Sequence, residues 1–311
     1  MKVRVAERRM LTQSTVALRL VSETEALPPF TAGAHIDLHL RTDLSRQYSL
    51  CNPSAAPEYY ELAVYIDPES KGGSKAVGEL KVGDELEIDG PRNHFELVEG
   101  GRYRLLAAGI GITPIWAMAQ QLHAAGKQFS MHYRTKSAAL TAYGEEIAAA
   151  PFSSQVTQSY SSEGSIEIAE LVAAPKADEQ LYVCGPQRFI DAVLEAAAAA
   201  GWPEERLHRE YFTATLKESE DPQHLFKVRV ASTGDEYEIP PDRSIAEVLD
   251  EAGHFIPLSC EEGVCGTCMV PLLEGEAEHR DLYMTPAEHA AGEMITLCCS
   301  RAKSDLLVVD I

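Results

Sequence analysis

Cys260, Cys265 and Cys268 stand in the pattern C-x4-C-x2-C, and Cys298 follows well downstream. This is the plant-type spacing for a [2Fe–2S] cluster, whose irons need four thiolates converging on one small volume. A tight loop supplies three of them, and a strand arriving from elsewhere supplies the last. Gly263 and Gly266 lie within that loop, where backbone amides can turn toward the sulfurs without crowding from a Cβ. Other chemistries leave different marks. Zinc sites usually show two short Cys/His pairs, and this chain has one C-x2-C. A Rieske centre replaces two thiolates with histidine, and no C-x-H occurs. Disulfides belong to secreted chains, and seven cysteines, an odd number gathered mostly at one end, suit a reducing compartment. The stretch reads as an electron-transfer module.

Two further groups of residues can carry chemistry. Arg46-Gln47-Tyr48-Ser49 sets a cation, an amide, an aromatic ring and a hydroxyl on one predicted strand. Arg46 and Tyr48 face one way, Gln47 and Ser49 the other. Lys71-Gly72-Gly73-Ser74 can expose backbone amides at a helix start, and with Arg46 it can grip a flavin mononucleotide phosphate. Taken singly, an amphipathic strand and a helix cap have the same appearance. The second group is Gly109-Ile110-Gly111-Ile112-Thr113-Pro114, directly after an apolar strand. Small residues let the backbone approach a pyrophosphate, and the following helix N-terminus stabilises its charge. The pattern is G-x-G-x-x-P, not the G-x-G-x-x-G dinucleotide fingerprint. Val183-Cys184-Gly185-Pro186 ends a later strand, where Cys184 either faces a nicotinamide or packs. Cys51 reads as packing, and Cys299, on a strand beside Cys298, should point the opposite way.

The elements that must position these residues change character along the chain. Short strands at 3–9, 16–21, 34–40, 47–51, 60–66 and 85–88, separated by Pro/Gly/Asp-rich turns, predict an antiparallel β-barrel or sandwich. A short helix is predicted through 75–77. Strands at 105–108, 128–133, 155–160 and 181–184 then alternate with Ala-rich helices, the last at 186–200. That alternation predicts a doubly wound α/β parallel sheet, with ligands at its carboxyl edge. Residues 217–224 are polar and read as a linker. Strands at 227–231, 236–239, 269–273 and 306–310, with a helix at 244–252, predict a small α+β domain. The expected organisation is multidomain: a flavin domain at 1–100, a nucleotide domain at 101–216 and a cluster domain at 225–311.

A composition of 45% hydrophobic and 24% charged residues is that of ordinary globular protein. Residues 1–11 are charged and lack an apolar h-region, and the most apolar run, 105–119, is broken by Thr113 and Pro114. No secretory signal or membrane span is expected, and the location expected is cytoplasmic. The net charge of −21 argues against nucleic acid and anionic membranes as partners. Residues 225–311 hold 17 Asp and Glu against 6 Lys and Arg, so more than half of the excess lies on the cluster segment. Solubility accounts for such a surface, and so does steering toward a basic face on a redox partner.

In this order the units resemble the phthalate dioxygenase reductase family, which includes the reductases of vanillate demethylase and carnitine monooxygenase. The resemblance rests on Arg46-Gln47-Tyr48-Ser49-Leu50-Cys51-Asn52, Gly72-Gly73-Ser74, Gly90-Pro91-Arg92-Asn93-His94-Phe95, Gly109 to Pro114, Tyr182 to Pro186 and the cysteine loop. His279-Arg280-Asp281 and Ser300-Arg301-Ala302-Lys303-Ser304 extend it. It implies an FMN barrel, an NADH-binding domain and a C-terminal plant-type, β-grasp ferredoxin. Arg46, Gln47, Tyr48 and Ser49 would hold the flavin, with Ala63, Val64 and Tyr65 along its edge and Gly73 and Ser74 at its phosphate. Thr113 would approach the flavin from the nucleotide domain, and Phe212, in the loosely matching Glu210-Tyr211-Phe212, would stack on it. Gly109, Gly111, Pro114, Cys184, Gly185 and Pro186 would receive NADH. Arg134 and Lys136 follow the second strand of that domain, where the extra phosphate of NADPH would sit.

The implied function follows from electron counting. Nicotinamide gives up electrons as a pair and the cluster accepts one at a time, so a flavin between them splits the pair. Placement carries such a reaction, with Ser49, Cys184 and Thr113 as the groups nearest the reacting atoms and no acid–base dyad required. The implied role is the reductase component of a two-component, Rieske-type oxygenase. A cytochrome P450 acceptor, a redox sensor without turnover and a zinc-stabilised binding module are the competing roles.

Overall fold

The computed structural model describes residues 1–41, 44–52, 57–70, 72–213 and 224–311. Lys71 and residues 217–223 of the expected linker lie outside the described residues. The chain divides into two compact units, Met1–Glu210 and Tyr211–Ile311.

The first unit begins with β1 (Lys2–Thr12), β2 (Thr15–Val21), β3 (Ala34–Arg41), β4 (Leu44–Ser49), β5 (Tyr60–Tyr65), α1 (Gly73–Glu79) and β6 (Glu85–Asn93). The six strands form one sheet in the order β4-β3-β6-β1-β2-β5, antiparallel throughout. Leu50, just past β4, bridges to Leu62 in β5, so the two end strands meet and the sheet closes into a barrel. Closure puts one face inside, where Val5, Leu18, Ile36, Leu38, Leu62 and Ile88 are fully buried. Each contributes about 1.5–3 kcal/mol relative to exposure. β6 runs further than its apolar pattern predicted because it continues past Pro91. The β3–β6 register shifts between His35 and Asp37 to accommodate that residue, which has no N–H to donate.

The chain continues through β7 (Arg102–Ala108), α2 (Ile112–Ala124), β8 (Gln128–Thr135), α3 (Gly144–Ala149), β9 (Val156–Tyr160), α4 (Ile168–Val172), β10 (Glu179–Cys184), α5 (Gln187–Ala199) and β11 (Leu207–Glu210). All five strands are parallel, in the order β11-β10-β7-β8-β9. The connection reverses direction between β7 and β10, the switch point at which open α/β sheets bind ligands. β11 has no counterpart among the predicted strands, because Leu-His-Arg-Glu shows no apolar alternation. It forms by pairing with β10, Leu207 beside Leu181 and Glu210 beside Cys184.

Hydrogen bonds tie this sheet's helices to the barrel. Gln120 of α2 donates to the Cys51 carbonyl at 3.0 Å, and Gln121 accepts from Ala32 N at 2.8 Å. Tyr143 donates to Glu61 at 3.0 Å. Helix α2 is thereby held against the barrel next to the strand that carries Ser49.

The second unit contains β12 (Phe226–Val230), β13 (Glu236–Ile239), α6 (Ile245–Glu251), β14 (Met269–Glu274), β15 (Ala277–Glu278), α7 (Pro286–Ala291), β16 (Met294–Thr296), β17 (Arg301–Ala302) and β18 (Leu306–Val309). Its main sheet has the order β13-β12-β18-β14-β16, with β12 and β18 parallel. The helix α6 packs on it through Ile245, Ala246 and Leu249, which gives the β-grasp arrangement. Ser244 and Glu247 form a capping box that sets where α6 begins.

Arg301 is buried in this unit. Its guanidinium donates to the carbonyls of Arg243, His224 and Pro240 at 2.9, 3.1 and 3.0 Å and lies 4.9 Å from the centre of the Phe226 ring. Three carbonyls, two from the loop between β13 and α6 and one just before β12, are satisfied by one planar group. Lysine cannot reproduce that fork. Arg301→Lys is expected to destabilise this unit by about 2 kcal/mol, read as a lower urea midpoint for loss of visible absorption from the holoprotein. An unchanged midpoint would mean that water replaces the guanidinium without cost.

Candidate redox site

The cysteine loop runs from the end of α6 into β14. Cys265 and Cys268 are buried, and Cys260 and Cys298 are half-buried. The four thiols converge: Cys260 lies within hydrogen-bonding reach of Cys265 and Cys298, and Cys268 within reach of Cys298. Thiol neighbours at Cys265 and Cys298, followed by the amides of Glu262 and Val264, draw the Cys260 pKa down. The Glu262 amide donates to its sulfur at 3.4 Å. The same thiol contacts push the Cys265 and Cys298 thiols up, so the group shares its protons and favours thiolate at Cys260, the form that iron takes. The loop can fold this tightly only with glycine at two positions. Gly263 and Gly266 have φ of 72° and 70°. A Cβ at 263 would lie 2.6 Å from the Cys299 sulfur, and one at 266 would lie 2.5 Å from the Tyr283 ring.

Cys298 and Cys299 do not lie on a strand as expected. They occupy a turn after β16, and the Cys299 thiol lies against Cys298 instead of pointing away. A turn lacks the two-residue alternation on which that expectation depended. Cys299 also contacts Thr296 Oγ1 at 3.3 Å.

In the first unit, β4 carries Arg46, Gln47, Tyr48 and Ser49. Tyr48 packs toward the barrel core, and its hydroxyl pKa is raised to about 12 by burial. The side-chain stem of Arg46 lies against the start of α1, where a Cβ on Gly73 would come within 2.7 Å of its Cγ. Arg46 and the Gly73-Ser74 turn are therefore neighbours, although 26 positions of sequence lie between Arg46 and Gly73. Ser74 Oγ accepts from the Asp67 amide at 3.0 Å. On β5, Ala63 and Val64 are buried and Tyr65 is 43% exposed. Cys51 is buried, its thiol pushed up to about 12 by desolvation, which accords with packing.

At the switch point, β7 leads into Gly109-Ile110-Gly111, a short 3-10 turn, and then α2. A side chain on Gly111 would collide with the Cys184 carbonyl, and one on Gly185 would lie 2.9 Å from Ala108 Cβ. The two loops touch because both positions are glycine. Thr113 is buried and its hydroxyl donates to the Ile110 carbonyl at 3.1 Å, within the first turn of α2. Pro114 occupies that same turn, where no amide partner is needed. Phe212 lies at the start of the second unit and is half-buried.

The sequence reading missed the most unusual group here. Glu210, at the end of β11, is half-buried with its Oε2 sealed from solvent beside Cys184, and desolvation raises its carboxyl pKa to about 8. Ser49 hydrogen-bonds to it, which partly offsets the shift. Its Oε2 has no hydrogen-bond partner among the described residues. Burial, with the Glu210 charge adding to it, pushes the Cys184 thiol well up, so that group is neutral. Ser49, Cys184 and Glu210 thus meet from three strands, and an unpartnered buried oxygen fits a polar ligand group entering there. The only signal in the sequence was an acidic residue ending a four-residue segment at a strand's expected edge.

The donor sets define a class, a flavin oxidoreductase with its own [2Fe–2S] domain, and comparison with known proteins agrees. Residues 228–303 match the 2Fe-2S iron-sulfur cluster binding domain, and residues 2–97 match the oxidoreductase FAD-binding domain. The chain is 43% identical over 316 residues to a vanillate O-demethylase oxidoreductase from Pseudomonas sp. (strain HR199 / DSM 7063), covering 100% of this chain and 99% of that protein. The solved phthalate dioxygenase reductase, described as a modular structure for electron transfer from pyridine nucleotides to [2Fe–2S], superimposes with a TM-score of 0.75 at 34% identity, covering 100% of this chain and 98% of that one. An intact type IV self-sufficient cytochrome P450 monooxygenase matches with a TM-score of 0.88 at 38% identity, over 99% of this chain and 40% of that one. The chain belongs to the phthalate dioxygenase reductase family. It is an electron-transfer oxidoreductase that carries a flavin domain and a [2Fe–2S] domain. Among its described residues, no helix is long and apolar enough to cross a membrane.

Glu210 sets a pH dependence. The folded chain keeps this proton until about pH 8, whereas the ordinary carboxyl value is 4.5. Stability therefore falls as pH rises through that window, because only the folded state still holds the proton. Both tryptophans, Trp116 and Trp202, lie in the first unit and report its unfolding. Glu210→Gln should lose this slope, gaining about 2 kcal/mol or more on wild type between roughly pH 5 and 8 in urea unfolding of the apoprotein. Parallel profiles would show that the carboxyl is hydrated and ionised at neutral pH.

Proposed function

We propose that the chain is the reductase component of a two-component, Rieske-type oxygenase, taking electrons from NADH through FMN and its own [2Fe–2S] cluster to the oxygenase. The observation that carries this reading is the meeting of Ser49, Cys184 and Glu210 in one unit of a chain whose other unit gathers four cysteine thiols. A bound flavin supplies the exchange between a two-electron donor and a one-electron acceptor.

The protein's own part is placement. Arg46, with Gly73 and Ser74 at the start of α1, holds the flavin phosphate, and Gln47, Tyr48 and Ser49 hold the ring, with Ala63, Val64 and Tyr65 along its edge. Phe212 stacks on it. Gly109, Gly111 and Pro114 receive the dinucleotide at the first turn of α2, with Cys184, Gly185 and Pro186 across the switch point and Thr113 toward the flavin. Ser49, hydrogen-bonded to the Glu210 carboxyl, would offer its hydroxyl to a bound flavin. Cys260, Cys265, Cys268 and Cys298 ligate the cluster. Residues 1–100, 101–216 and 225–311 are the flavin, nicotinamide and ferredoxin domains in this assignment.

NADH rather than NADPH is supported by Arg134. Its guanidinium donates to the Gly164 carbonyl at 2.7 Å and to Ser159 Oγ at 3.2 Å, so it is already committed within the chain. The acidic surplus of residues 225–311 supports docking on a basic face of the oxygenase, and the net charge opposes nucleic acid and anionic membranes. Thiol-rich metal chemistry suits a cytoplasmic location. A second reading, a haem acceptor of the P450 type, has support in the likeness to the self-sufficient P450 monooxygenase.

The test is an anaerobic titration of the as-purified protein followed by visible absorption, with NADH and NADPH in parallel and the flavin identified by chromatography. FMN, bleaching of flavin and cluster bands by NADH, and uptake of three electrons in all would support the assignment. Flavin bleaching with cluster bands absent or unresponsive would remove the four cysteines as the electron exit.

A further inference from the structure

Apart from the four cysteines, the second unit gathers another set of ligating groups. Asp281 is fully buried as a side chain, and its carboxylate is tightly oriented. Oδ2 accepts from the Met284 amide at 2.8 Å, and Oδ1 accepts from Thr296 Oγ1 at 3.3 Å. His289 Nε2 lies 3.2 Å from both oxygens. His279 Nδ1 lies 3.9 Å from Oδ1, on a side chain only 9% exposed, and this nitrogen is sealed from solvent with no hydrogen-bond partner among the described residues. A buried orphan nitrogen facing a buried carboxylate is costly unless something else satisfies it. The two imidazoles stack, with centres 4.4 Å apart and planes within 9°, and the ligand atoms of all three residues lie within 4.8 Å of one another.

We propose that His279 Nδ1, the Asp281 carboxylate and His289 Nε2 form a binding site for a divalent transition cation, zinc foremost, separate from the cluster cysteines. Two imidazoles and one carboxylate are a zinc donor set, whereas calcium and magnesium prefer all-oxygen surroundings. Zinc bonds of 2.0–2.1 Å place tetrahedral ligands about 3.3 Å from one another. The Asp281–His289 pair already has that spacing; His279 Nδ1, 3.9 Å from Asp281, must close on it by about half an ångström, and the two histidine nitrogens, within 4.8 Å of one another, must close by up to about 1.5 Å. The rings must also open from their parallel stack so that both lone pairs meet the cation. His289, 27% exposed, is the arm free to do so, while Asp281 and His279 are the fixed half. Burial depresses the His279 pKa and keeps its imidazole in the neutral, ligating form.

The supporting shell is built for position. Thr285 and Glu288 form a capping box at the start of α7, with Pro286 in its first turn and Gly292 closing it in the left-handed conformation. That box occupies the Glu288 carboxylate and leaves His289 facing Asp281. Met284 N and Thr296 Oγ1 orient the carboxylate from outside, the usual role of partners behind a metal ligand. The Leu282 amide, one residue on, donates to the Gly263 carbonyl at 2.9 Å, so a cation here would brace the cysteine loop.

The experiment loads the holoprotein, flavin and iron in place, with one equivalent of zinc chloride, desalts it, and counts zinc and iron by mass spectrometry. A fluorescent chelator then measures affinity by competition. Wild type should retain one zinc per chain with its iron content unchanged. His289→Ala and the volume-conserving His289→Gln should bind more than about 100-fold more weakly, beyond the 10–100-fold typical of outer-shell partners. His39→Ala, on the barrel, should bind as wild type does. Absence of retained zinc, equal affinity in the His289 variants, or zinc gained only as iron is lost would each overturn the site.

Discussion

The backbone at Gly111 runs against the Cys184 carbonyl, and the backbone at Gly185 runs against Ala108. Everything that the first unit does depends on this contact. With any side chain at either position, the two βα loops would separate, and the edge of β10 would move away from the start of α2. The contact places Cys184 beside Glu210 on the next strand and brings both toward Ser49 at the end of β4. A family whose chemistry is electron and hydrogen transfer needs placement more than it needs strong acids or bases. Bonds from Gln120, Gln121 and Tyr143 to the barrel extend that placement from a loop to the whole unit.

The second unit uses the same device for a different purpose. Glycine at 263 lets the Cys299 thiol and Asp281 close over the loop, and glycine at 266 admits the Tyr283 ring. Four thiols in one small volume would repel as thiolates, and their mutual hydrogen bonds show how closely they are held. The rest of this unit is conventional packing: a capped helix over a five-stranded sheet, with Arg301 gathering three carbonyls. The chemistry of the loop is tied to the fold through Cys268, which is part of the apolar core, through Cys298, which packs against it, and through Asp281. That residue is at once a buried carboxylate, a partner of two histidines and a neighbour of Gly263.

Much of this was legible in the residues. The alternation of 3–66 gave antiparallel strands, and the change to apolar strands with Ala-rich helices after 103 gave the parallel sheet. Local patterns report local structure, so the places they failed share one cause. β11 exists only because β10 offers a partner, and its sequence carries no pattern of its own. Closure of the barrel rests on one bridge between Leu50 and Leu62, which no periodicity could announce. Glu210 becomes unusual through burial, a property of the assembled fold. α7 is a different case, since Thr285-Pro286-Ala287-Glu288 spells out a capping box that was readable and went unread. Cys299 was misplaced because a turn was taken for a strand.

The distribution of charge completes the functional argument. In the first unit the polar groups are turned inward: Cys184 is fully buried, Glu210 has one carboxyl oxygen sealed from solvent and its pKa raised, and the carboxyl of Glu61 is partnered by Arg19 and Tyr143. In the cluster segment the surplus of negative charge is carried largely by exposed residues, Glu274, Glu276 and Asp310 among them. Exposed charge changes encounter rates and partner choice far more than it changes stability. The exposed acidic groups of the second unit therefore bear on encounter with other molecules, whereas the inward-facing groups of the first unit do not.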